Sequence, residues 1–169
     1  MKKGLKVFAL VAVTLIVQRL LGHPRILPLA TAFLLPMPWI IGPPLLGFDR
    51  RWYWLSFPIG LGWDLFFEPI VGIGAIAWSA AALMIWTGTS IAAERRTCAW
   101  FAAGAGGAVV FWLIRSICFL PLDLPGTPTW SWIGISALLT GVWCAAVHTV
   151  MVLDLPARWR QRQARRLRL

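Results

Sequence analysis

The sequence has little charge. Of its 169 residues, 13% are charged and six are acidic, whereas a soluble domain carries about 25% charged residues. With 59% hydrophobic residues, the chain has too much apolar surface to hide from water, and the bilayer is the solvent that accepts it. Cysteine is scarce as well. Cys98, Cys118 and Cys144 are odd in number and widely spaced, which excludes a disulfide framework and a thiolate metal site. Each lies in or beside an apolar run and reads as a small apolar helix residue. No nucleophile–base–acid set, phosphate loop or metal-ligand spacing occurs. The glycine-rich stretch 104–107 sits inside an apolar run, not between a strand and a helix, so it is no nucleotide loop. Nothing supports catalysis, a metal or a cofactor. At about 20 residues per spanning helix, the length allows at most about seven spans and leaves no room for a separate soluble domain.

What is present is a series of six apolar runs: 5–21, 26–46, 52–67, 70–86, 98–120 and 130–153. They predict an all-α protein, a polytopic membrane bundle of six transmembrane helices over residues 1–156, followed by a basic tail over 157–169. Run two holds Pro28, Pro36, Pro38, Pro43 and Pro44, which predicts a kinked or broken helix. Run three is short and carries Pro58 and Asp64. Lys2 and Lys3 before an apolar stretch resemble the start of a signal peptide, with Ala30-Thr31-Ala32 as a faint cleavage site. Gln18, Arg19 and His23 lie between the two, so run one reads as a retained anchor.

The net charge of +10 would suggest nucleic acid in a soluble protein. Here the basic residues lie between and after the spans. Lys2, Lys3 and Lys6 precede run one, Arg50 and Arg51 separate runs two and three, and Arg95 and Arg96 separate runs four and five. Arg158, Arg160, Arg162, Arg165, Arg166 and Arg168 follow run six. With six spans, these thirteen of the sixteen basic residues fall on one side, while the alternate loops hold Arg25 alone. That is the positive-inside pattern, and it places both termini in the cytoplasm of a multi-pass protein. The arginine-rich tail is expected to lie on anionic lipid, with an acidic cytoplasmic partner as the alternative. No nucleic-acid partner is expected.

The twelve tryptophans include Trp39, Trp52, Trp54, Trp86, Trp100, Trp130 and Trp132 near span ends, where interfacial anchoring is expected. Gly72, Ala75, Ser79 and Ala82 recur at helical spacing on run four, and residues 102–108 of run five, including Gly104 and Gly107, are all Gly or Ala. Small residues let helices approach closely in lipid, so these are helix-packing or partner surfaces. Polar groups inside a bilayer need a reason. Topology puts Arg19, Asp64, Glu68 and Arg115 in the outer third, which predicts an outward polar cluster with Arg115 paired to Asp64 or Glu68. Arg19 and Glu68 could alternatively snorkel to the interface. Gln18 is a further polar candidate. His148 reads as a satisfied packing residue, because a proton relay would need other titratable groups at intermediate depth.

One stretch, Pro58-Ile-Gly-Leu-Gly-Trp-Asp-Leu-Phe-Phe-Glu-Pro-Ile-Val-Gly-Ile-Gly-Ala, resembles the most recognisable segment of the MreD family. Those proteins have a short span ending in a glycine-rich stretch and Asp-Leu, a brief turn with proline and glycine, then a span with small residues. Asp64 stands at the family's aspartate and Gly72 at the glycine eight residues later, while Pro69 comes one position early. The specific match covers residues 58–80; elsewhere it is hydropathy, length, the lysine-rich start and the basic end. The resemblance implies a non-catalytic component of the bacterial inner membrane. It would bind an MreC-like single-span partner and support, indirectly, RodA and a class B penicillin-binding protein in building lateral-wall peptidoglycan. It also implies a fold like that of the substrate-binding subunits of energy-coupling-factor transporters. A transporter subunit binding a small molecule is the alternative function, and an intramembrane enzyme using Asp64 or Glu68 the weakest.

Overall fold

A computed structural model of the chain describes residues 2–21, 32–47, 50–68, 70–91, 97–122 and 128–166. The first part of run two (26–31), Arg25, Arg95, Arg96 and Arg168 lie outside the described residues, as do the side chains of Arg158, Arg160, Arg162, Arg165 and Arg166. Among the described residues the fold is all-helical, with six α-helices and no strand. They are α1 Lys2–Leu21, α2 Met37–Leu45, α3 Ser56–Phe67, α4 Ile73–Ile91, α5 Thr97–Phe119 and α6 Trp130–Arg166. Two segments are long and apolar enough to cross a membrane, Thr97–Leu122 and Trp130–Val152. Shorter apolar helices cover Ala9–Leu21 and Ile73–Gly88.

Proline sets the shape of run two. Pro36 precedes α2 and Pro38 occupies its first turn, where no intrahelical N–H is needed. Pro43 and Pro44 then remove two amides from the last turn, and Gly47 closes the helix at φ 75°, a backbone that favours glycine. The nine residues of α2 rise only about 14 Å, so α2 alone is too short to span. A 3-10 turn, Arg50–Leu55, leads into α3, which has twelve residues. Pro58 sits in its first turn and costs no hydrogen bond. At the other end of the chain, α6 continues for 37 residues through Pro156 and into the arginine-rich segment, which is built of strong helix formers (Ala, Arg and Gln) with no glycine to stop it.

The contacts fix helix directions. Asp64 near the end of α3 accepts from Gly74 at the start of α4, while Tyr53, just before α3, reaches Ser79 farther along α4. Gly107 of α5 lies against Ile85 of α4, and Trp78 packs on Phe111. Gly104 lies against Cys144 of α6, and Trp112 bonds Ser136. Each of these consecutive pairs is therefore antiparallel. By contrast, Gly62 lies against Leu15 and Phe67 against Arg19, so α1 and α3 are parallel. Residues 32–35 run parallel to α6, meeting Ser136, Thr140 and Trp143 in order. Thus α1, α3 and α5 point one way, while the segment leading into α2, α4 and α6 point the other.

The core is the seam of this alternation. Trp63, Trp78 and Phe111 pack edge-to-face or tilted at its centre with ring centroids 4.9–5.6 Å apart, and Met37, Ile41, Ile85 and Trp100 extend it. Outside it, large apolar side chains such as Val13, Leu20, Leu65, Val71, Ile117, Leu138 and Val150 face outward.

Candidate functional site

The polar residues gather where α3 hands over to α4. The chain leaves α3 at Glu68, and Gly72 turns it at φ 112°, a left-handed value that side-chain-bearing residues rarely adopt. That turn aims the first free amides of α4 back at α3. Asp64, 1% exposed, receives them. Gly72 N donates to Oδ2 at 2.7 Å, Gly74 N to Oδ1 at 2.6 Å and Ala75 N to Oδ2 at 3.3 Å. A carboxylate thereby satisfies donors that a helix N-terminus always leaves open, and its negative charge meets the positive end of the helix dipole. A Cβ on Gly74 would clash with the Asp64 carboxylate, and one on Gly60 would clash with the Ala75 backbone, so both glycines set how closely α3 and α4 approach.

Glu68 and Arg115 form the second element. Arg115 Nε donates to Oε1 at 2.5 Å and a terminal guanidinium nitrogen to Oε2 at 3.0 Å. The side chains are 2% and 12% exposed for Glu68 and Arg115. The guanidinium also lies over the Phe119 ring at 4.1 Å and the Trp112 ring at 5.3 Å. This two-pronged geometry with aromatic cover suits arginine specifically. Removing one partner of so buried a pair costs about 3–5 kcal/mol, because the other charge is stranded. Arg19 lies at the same end, exposed, with its guanidinium 5.8 Å from the Phe67 ring.

A third set of polar groups holds the non-helical backbone before α2. Gln18 donates to Phe33 O and accepts from Leu35 N at 2.8 Å. Thr140 Oγ1 accepts from Leu34 N at 3.3 Å. Ser136 donates to Ala32 O at 2.7 Å while accepting from Trp112 Nε1 at 2.7 Å, and Trp143 Nε1 donates to Leu35 O at 3.3 Å. Irregular backbone away from water survives only when protein groups satisfy it, and α1 and α6 supply them here. At the opposite end, His148 shares a hydrogen bond with Thr97 at 3.1 Å and packs on Trp100 with ring centroids 5.1 Å apart.

The structure therefore brings Asp64, Glu68, Gly72 and Arg115 together at one end and separates their partners. Arg115 pairs with Glu68. Asp64 faces backbone amides, because the helix it caps begins at Ile73 rather than at Ile70, where run four begins in the sequence. Glu68 lies in a buried ion pair, which answers the snorkelling alternative for it. Gly72 departs from its expected packing role, since nothing lies within 4 Å of where its Cβ would be. Ala75 is buried against Gly60, and Ser79 offers its carbonyl to Tyr53 at 3.3 Å. Gly104 and Gly107 face α6 and the α4–α2 side, inside the bundle. Trp100, expected at an interface, is fully buried, whereas Trp54 and Trp130 are exposed. Sequence reasoning missed Ser136, Thr140 and Trp143. Their signal was the spacing of Ile133, Ser136, Thr140 and Cys144 on one face of α6.

Apolar grooves open on the described part of the bundle. One, about 200 Å³, lies between α1 and α3 and is lined by Leu15, Ile16, Ile59, Leu65 and Phe66 among others. The other, about 230 Å³, lies among α2, α4 and α5, lined by Leu45, Met84, Ala99 and neighbours. Neither is lined by Asp64, Glu68 or Arg115. No metal-binding group of His, Cys, Asp or Glu occurs among the described residues. Comparison with known proteins returned no matching family model, no matching curated protein and no matching solved structure.

Proposed function

We propose that the chain is a six-span protein of the bacterial inner membrane with both termini cytoplasmic, an MreD-like scaffold without catalytic activity. Its bundle binds a single-span MreC-like partner and so supports the RodA and penicillin-binding-protein machinery of lateral-wall synthesis. The observation that carries this reading is how the interior polar groups are used. Asp64 caps α4, Glu68 neutralises Arg115, and Gln18, Ser136 and Thr140 hold the backbone before α2. They build the bundle, and none of them lines either of the two apolar grooves described above. A transporter subunit would need a closed outer cavity lined by these charges and by tryptophan.

Three further features support the reading. The alternating helix directions suit six crossings. The apolar outward side chains suit lipid. Asp64 and Gly72, the two positions that carry the MreD resemblance, are bonded to each other at 2.7 Å. Because the small-residue surfaces of α4 and α5 face inward, the partner helix packs instead on the outward faces of α1 and α3, around Ile16, Leu65 and Phe66. Purification with candidate partners tests the reading. A single-span protein should co-purify and be lost on Ile16→Arg. If none co-purifies and depletion leaves rod shape intact, the reading fails.

A further inference from the structure

The seam between the parallel helices α1 and α3 carries an inference that goes beyond the scaffold reading and rests on its membrane placement. The groove there, about 200 Å³, has a buried floor and an open rim. Val11, Leu15 and Ile59 form the floor at 0–5% exposure, while Ile16, Leu65 and Phe66 form the rim at 40–73%. From Leu55 to Phe66 the lining follows α3 for about 16 Å at 1.5 Å per residue. That is close to the depth of one leaflet, about 15 Å of hydrocarbon. A groove of this volume and depth is far narrower than a helix, which is about 10–12 Å across with its side chains. It fits a single hydrocarbon chain, and the partner helix proposed above lies over the rim.

A cation stands at the outer end of this groove. Arg19 follows Leu15 by four residues and Ile16 by three, so it continues their face of α1 by one turn. It is exposed, and its guanidinium lies 5.8 Å from the ring of Phe67, the residue after Phe66. The two carboxylates at this end are engaged elsewhere, Asp64 by backbone amides and Glu68 by Arg115. In the six-span topology Arg19 reaches the depth of the outer headgroups. An apolar groove one chain wide and one leaflet deep, with a cation at its mouth, matches a molecule that joins an acyl chain to an anionic phosphate.

We infer that the α1–α3 groove is a site for an anionic phospholipid of the outer leaflet, with one acyl chain between the helices and the headgroup phosphate on Arg19. The probe is phosphatidylglycerol carrying a photoreactive diazirine on one acyl chain, mixed into phosphatidylcholine nanodiscs that hold the full chain. Adducts are mapped by mass spectrometry. They should concentrate on residues 11–16 and 55–66 rather than on the outward side of α6 at Leu138, Val142 and Val150. Labelling of the groove should fall about fivefold in R19Q, persist in R19K, and fall likewise in Ala12→Phe, which fills the groove. A phosphatidylcholine probe should label the groove several-fold less. Four outcomes overturn the inference. Adducts spread evenly over all outward faces leave lipid as solvent only. Equal labelling of R19Q, or equal labelling by phosphatidylcholine, removes Arg19 from the site. Unchanged labelling of Ala12→Phe places the acyl chain outside the groove. A groove that stays unlabelled while a single-span protein co-purifies on it belongs to that protein. Carbonate washing of membranes checks the underlying placement separately. Release of the chain refutes that placement, whereas a retained chain with evenly spread adducts fails this inference alone.

Discussion

A carboxylate buried to 1% exposure must find compensation for the water it loses, and Asp64 finds it in three backbone amides of the neighbouring helix. Depth and burial of this residue follow from the sequence, because a short carboxylate in an apolar run cannot reach the surface. Its partner does not follow. Asp64 and Glu68 are one turn apart and equally placed for Arg115 by depth alone. The choice is made by the Gly72 turn, which starts α4 at Ile73 and aims its amides at Asp64, leaving Glu68 for the arginine. Asp64→Ala would leave Gly72, Gly74 and Ala75 N–H without acceptors, a loss of about 2–4 kcal/mol. In thermal unfolding by circular dichroism in detergent, that variant should melt well below the parent. A surface change such as Thr87→Ala should leave the midpoint within a degree or two.

At the scale of elements, α1, α4, α5 and the apolar part of α6 were legible from apolar length, and their ends fall within a few residues of the runs. Run two was legible only as trouble. Its prolines foretell a broken helix, but not that residues 32–36 would be extended or turned and tied down by α1 and α6. Ser136 and Thr140 are ordinary in a membrane helix, so nothing local in α6 announces that they serve another segment's backbone. Gly60 illustrates the same gap. Its glycine-rich context reads as close packing, yet only the crossing of α3 and α4 shows that its Cβ would strike Ala75. Gly60→Ala should therefore destabilise the bundle by about 2 kcal/mol or more. Gly134→Ala, where nothing lies within 4 Å, should be neutral or stabilising by up to about 1 kcal/mol. Chemical denaturation of both variants in one detergent measures the contrast; equal midpoints would mean that α3 and α4 are not so closely apposed.

At the scale of the molecule, sequence and structure meet on direction. The basic residues were assigned to one side from charge alone. The packed pairs independently turn each successive element around, with α1 beside and parallel to α3 and the segment before α2 parallel to α6. The start of α1, with Lys2, Lys3 and Lys6, thus lies at the same end as the arginine-rich end of α6. The polar knot of Asp64, Glu68 and Arg115 lies at the other. The central claim is that these alternations are crossings of a membrane. Topology reporters fused after Leu169 and within the α5–α6 connection at Gly126 test it most directly. The account predicts a fluorescent cytoplasmic reporter and no phosphatase activity at Leu169, with phosphatase activity and no fluorescence at Gly126. Active phosphatase at Leu169, or the same side for both sites, would contradict it.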